Sequence, residues 1–73
     1  MSVVKVIELI AESEESWEAA AQAAVTHAGK TIRNIKSLYV EDFQAKVGKD
    51  NNITWYRVTA KITFVVEEGK GSD

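Results

Sequence analysis

Two periodicities divide the chain. From Trp55 to Val65 (WYRVTAKITFV) apolar and polar positions alternate at every step, the rhythm of a β-strand. Tyr56, Val58, Ala60, Ile62 and Phe64 share one face, and Trp55, Arg57, Thr59, Lys61 and Thr63 share the other. Val3 to Ile10 is a shorter β-rich run, with Lys5, Ile7 and Leu9 on one side and Val4, Val6, Glu8 and Ile10 on the other. Apolar residues on both sides suit a strand that becomes buried on both. Between these runs Trp17, Ala20, Ala21, Ala24 and Ala28 recur at helical spacing, one narrow stripe of mostly small side chains. Ser13 is the expected N-cap, with Glu14 and Glu15 at the positive end of the helix dipole. The helix is expected to fade between Gly29 and Asn34, with Lys30 and Arg33 favouring its negative end. Ile35 to Val47 reads as a further strand, Leu38 and Val40 facing inward and Ser37, Tyr39, Glu41 and Phe43 outward. Gly48-Lys49-Asp50-Asn51-Asn52 is a turn by composition.

The order is therefore β-α-β-β, an α+β fold. A right-handed crossover makes the first two strands parallel, and the hairpin makes the third antiparallel to the second. The third strand then belongs in the centre of a three-stranded antiparallel sheet partly wrapped around one helix. One helix covers one face, so the face carrying Trp55 and Arg57 must meet solvent, a ligand or another copy. Residues 1–66 form the expected domain, and 67–73 a polar tail.

Composition sharpens this picture. A chain of 73 residues is near the size at which one core is only just sufficient. It has no cysteine for disulfides or thiolate metal sites and a single histidine, which leaves oligomerisation as the common remedy. The net charge of −2 argues against a strongly basic nucleic-acid binder. No apolar run approaches the ~20 residues of a membrane helix, and the start of the chain lacks the pattern of a signal peptide. A cytoplasmic domain is expected.

Catalytic chemistry finds no constellation. There is no phosphate-binding glycine loop, no HExxH and no cysteine–histidine cluster. His27 is expected on the helix surface or at a subunit contact, Ser13 as a cap rather than a nucleophile, and Glu12, Glu14, Glu15 and Glu18 as a solvated helix start. Glu41 and Asp42 are adjacent on a strand and so are expected on opposite faces. Nothing here reads as an enzyme. Tyr39 and Phe43 are expected to share the uncovered face with Trp55 and Arg57, a planar aromatic surface with a guanidinium beside it. Such a surface suits a flat heteroaromatic ligand or a subunit interface, and both hold if a pocket lies between subunits.

The segments VVKVIELIAES, SEESWEAAAQAAV, KTIRN and YRVTAKITFVVEE, taken in this order in a chain of this length, resemble the dodecin family. The resemblance implies a β-α-β-β protomer assembled as a hollow homododecamer that binds riboflavin, FMN or related flavins at subunit interfaces and stores or buffers them. It also implies a tryptophan at the start of the second strand that stacks on the flavin, and a glutamine after the third-strand tyrosine that bonds its edge. Here Ser37 and Arg57 stand at those positions, so flavin binding is expected to be weak or lost, with Trp55 as an alternative stacking surface. Other dodecin-like proteins also lack the tryptophan, and some of them are linked to calcium instead. The alternative reading is therefore a non-flavin structural or interaction shell protein, with calcium as its candidate ion and Glu8, Glu12, Glu14, Glu41 and Asp42 as available oxygens.

Overall fold

The computed structural model describes residues 2–68, without the side chains of residues 67 and 68. Strand β1 (Ser2–Ser13) leads to helix α1 (Trp17–Ala28), then to strands β2 (Ile35–Val47) and β3 (Ile53–Glu68). The sheet order is β1-β3-β2, with β3 antiparallel to both neighbours. The expected topology and the central place of β3 are both found. Glu67 and Glu68, expected in the tail, instead continue β3 opposite Val3 and Ser2, and the rest of that tail lies outside the described residues.

Helix α1 starts later than the sequence suggested. Ser16, not Ser13, is the N-cap: its backbone is extended and its Oγ accepts the Ala19 N–H at 2.9 Å. Ser13 ends β1 opposite Tyr56, and its Oγ accepts the Glu15 N–H within the connecting turn. Gly29 caps the other end with ordinary helical angles, its N–H donating to the Val25 carbonyl. Asn34 then adopts a left-handed φ of 62°, which asparagine tolerates, and turns the chain into β2. Its carbonyl accepts the Val65 N–H at 3.0 Å, which fixes the entry to the strand against β3.

The core is thin. Ala20, Ala24 and Ala28 of α1 meet Val58, Ala60 and Ile62 of β3, and all six are buried. Alanine lets the helix lie close to the sheet, while Ile7, Leu9, Ile32, Ile35 and Leu38 close the sides half-buried. Twelve helical residues span about 18 Å, against about 53 Å for the sixteen residues of β3, so the helix shields only part of one face. The molecule is accordingly a plank of 58 × 20 × 13 Å. Its radius of gyration is 15.3 Å, where a compact chain of this length has about 11 Å. Its surface is 5468 Å², against about 4500 Å² for a typical monomer of 8.1 kDa. The single chain therefore leaves much of its sheet uncovered.

Candidate functional site

The face of the sheet away from α1 is built from cross-strand rows. Nearest the hairpin, Lys46 lies opposite Trp55; the next row joins Gln44, Arg57 and Glu12. Further along come Asp42, Thr59 and Ile10, then Tyr39, Lys61 and Glu8, then Ser37, Thr63 and Val6. Strand alternation produces this arrangement, since every one of these β3 residues is odd-numbered. Ile10, Tyr39 and Val6 are 64%, 65% and 55% exposed, large apolar groups left facing solvent by a single protomer.

Charge on this face is paired between neighbouring strands. Arg57 donates from Nε and Nη2 to one oxygen of Glu12, at 2.8 and 2.5 Å. Lys61 approaches Glu41 at 3.8 Å. The Lys46 ammonium sits 5.6 Å over the ring of Trp55. Glu12 is thus not part of a solvated helix start but the ion-pair partner of a strand arginine. At the other end of the face, Ser37 and Thr63 are joined hydroxyl to hydroxyl.

Strand β2 corrects two expectations. A β-bulge between Val40 and Asp42 inserts one extra residue, so Val40 pairs with Ala60 and Phe43 with Val58. The phase of the strand shifts, and Phe43 points toward the helix instead of sharing a face with Tyr39, Trp55 and Arg57. There it meets Trp17 edge-on, ring centroids 5.9 Å apart, and Tyr56 meets the same indole at 4.9 Å. The Trp17 Nε1–H donates to the Gln44 carbonyl at 2.9 Å, tying α1 to β2. The same bulge brings Glu41 and Asp42 to one face: Asp42 pairs with Thr59 and Glu41 reaches Lys61. Adjacent carboxylates expected on opposite faces are neighbours on the outer one.

The remaining expected site residues, Ser37, Tyr39, Trp55 and Arg57, do lie on one face, but in two groups. Ser37 pairs with Thr63, six residues along β3 from Arg57, a separation of about 20 Å. Around Trp55 there is a depression of about 320 Å³ lined by Glu12, Gln44, Ala45, Lys46, Trp55 and Arg57. Sequence reasoning did not single out Lys46; counting back across the hairpin from Trp55 is the signal that finds it. The residues present fit one face of a planar ring, which the Trp55 indole can take, and the second face has no aromatic partner within this depression. Among the described residues no cluster of histidine, cysteine, aspartate or glutamate is placed to hold a metal ion, and no helix is long and apolar enough to cross a membrane. His27 is exposed on the last turn of α1.

A single helix laid over one face of a three-stranded antiparallel sheet, with the other face bare and carrying aromatic and charged rows, defines a class of small α+β domains. Known proteins of this class share the whole architecture. The dodecin family model matches residues 3–67. A dodecin of Thermus thermophilus is 36% identical over 66 residues, covering 90% of this chain and 94% of the relative. A calcium dodecin of Mycobacterium tuberculosis is 38% identical over 64 residues, 88% of this chain and 89% of the relative. A Thermus thermophilus crystal structure superposes with a TM-score of 0.85 at 35% identity, covering 94% of this chain and all of that one. The crystal structure of the calcium dodecin, described as calcium chelating with a novel calcium-binding site, gives 0.76 at 32% identity over 94% of this chain and 97% of its own. The chain belongs to the dodecin family.

Proposed function

We propose that this chain is a small-ligand binding and storage protein that works in the cytoplasm as a hollow homododecamer, taking a planar ligand of the flavin class, riboflavin or FMN, on its outer sheet face. It binds rather than catalyses, and neither nucleic acid nor membrane is its partner. The observation that carries this reading is the bare face of a protomer with a minimal core: Trp55, Arg57, Tyr39 and Ile10 lie exposed on one surface of a dodecin-family chain. Copies of the chain are the natural cover for the apolar part of that surface. Because Ser37 and Arg57 are about 20 Å apart within a protomer, Ser37 and Tyr39 reach a ligand at Trp55 only from a neighbouring copy. Serine offers no ring face, and a stacked aromatic pair contributes about 1 kcal/mol beyond its buried area, so affinity is expected to be modest.

Titrating the purified assembly with riboflavin and FMN while following flavin fluorescence tests the reading. Quenching at micromolar protein supports it, and unchanged fluorescence removes flavin from the account. Replacing Ser37→Trp should raise flavin affinity; no gain would mean that the family pocket has been lost here.

A second reading, a shell that holds calcium instead of flavin, is favoured by the bulge that sets Glu41 and Asp42 on one face. Two carboxylates are too few for calcium, which takes six to eight oxygens, so symmetric copies must supply the rest. A rise in melting temperature with millimolar calcium, abolished by Asp42→Asn, would support this reading over the first.

A further inference from the structure

The surroundings of Trp55 are electrically lopsided. On one side lie Lys46 and Arg57 with a single carboxylate, Glu12, in the depression of about 320 Å³. On the other side a second depression, about 250 Å³, is lined by Glu12, Ser13, Glu14 and the same indole. The first holds two cations against one anion in a chain of net charge −2; the charged groups of the second are Glu14 and the same Arg57-paired Glu12. Trp55 is the ridge between them.

The Lys46 ammonium rests 5.6 Å over the ring, on a surface that a stacking ligand would use. A neutral ring must push it into water and forfeit the cation–π contact, a loss of about two- to fivefold in affinity. A ring carrying a negative charge draws the displaced ammonium onto itself. Arg57 is a second cation within reach: its pair with Glu12 is partly exposed, the kind of ion pair that opens at modest cost, and Nη1 takes no part in it. The acid-lined depression repels the charged end of the same ligand, which therefore points toward Lys46.

We propose that the depression between Trp55, Lys46 and Arg57 selects planar aromatic anions, a phosphate- or carboxylate-bearing ring, over their neutral counterparts. Lys46 is the specificity-determining residue, and Glu12 holds Arg57 in reserve. This rests on the reading of the outer face as a ligand site, and it names the charge that the ligand must carry.

The test uses the assembled full chain and two matched pairs of probes, FMN against riboflavin and 1-naphthyl phosphate against 1-naphthol, each followed by tryptophan quenching at low salt. The phosphate-bearing member of each pair should bind about tenfold more tightly, with the preference shrinking as salt screens it. Lys46→Met should cut the preference about fivefold, in part because riboflavin and 1-naphthol, no longer displacing the ammonium, bind about two- to fivefold more tightly. Glu12→Gln should increase it, and Trp55→Phe should remove the quenching. Equal affinity within both pairs, or a preference untouched by Lys46→Met, overturns the proposal. Preference in the naphthyl pair with no flavin binding sinks the flavin reading and leaves this one standing. Absence of binding by all four probes sinks both.

Discussion

Along β3, even-numbered and odd-numbered residues share one backbone and the same two neighbouring strands, yet their surroundings have little in common. Val58, Ala60 and Ile62 are fully shielded, whereas Trp55 is 38% exposed and Arg57 lies open beside it. Pairing is the same for both sets, so it does not create the difference. Cover does: α1 lies over one face and, among the described residues, no element lies over the other. The inner face is a packing problem solved within the chain by alanine against branched side chains. The outer face is left as chemistry, ion pairs and aromatic rings in rows, with apolar residues among them that water alone cannot stabilise.

The largest effect should come from cutting into the inner face. Ile62→Ala removes a fully buried side chain between α1 and both edge strands, and should lower unfolding free energy by about 3 kcal/mol in a urea titration at fixed protein concentration. A loss below about 1 kcal/mol would mean that the core tolerates collapse and that the contrast between faces is weaker than drawn. Trp17→Phe keeps most of the ring cluster with Phe43 and Tyr56 but removes the indole N–H bond to Gln44, so a loss of about 1 kcal/mol is expected in the same titration. Glu12→Gln breaks an exposed ion pair and should cost about 0.5 kcal/mol or less. Smaller still for the fold of the protomer is Val6→Lys, a change on an exposed position, which circular dichroism should show to be silent. Sedimentation should nevertheless reveal a dispersed assembly in that variant. An intact assembly with Val6→Lys would show that the contact between copies lies elsewhere.

The sequence made one of these faces far easier to read than the other. Unbroken alternation in β3 placed Val58, Ala60 and Ile62 correctly, and the alanine stripe identified the buried side of α1, because both signals depend only on local periodicity. The N-cap was misplaced by three residues because Ser13 and Ser16 are equally good caps. What decides between them is how far β1 stays paired, and Ala11 and Ser13 remain opposite Val58 and Tyr56. Phe43 was misplaced for a related reason, since a bulge changes phase without changing composition. Its trace was the consecutive pair Glu41-Asp42, which strict alternation would have forced to bury a carboxylate; the extra residue keeps both outside. The ion pair of Glu12 with Arg57 depends on the register between β1 and β3, set by the whole sheet rather than by any local segment.

That register also dictates a folding order. β2 and β3 are joined by a short turn and can zip from Lys46 and Trp55 outward, but β1 must find a partner at the opposite end of the chain, Ser2 lying against Glu68. Loop closure over that distance is entropically costly, and the β1 flank of β3 is not complete until the last residues of β3 are available. During synthesis β1 and α1 therefore wait, with Ile7, Leu9 and the alanine stripe uncovered, while the hairpin that will complete the sheet is still being made. The central strand, last to appear in the chain, is the one on which every other element depends.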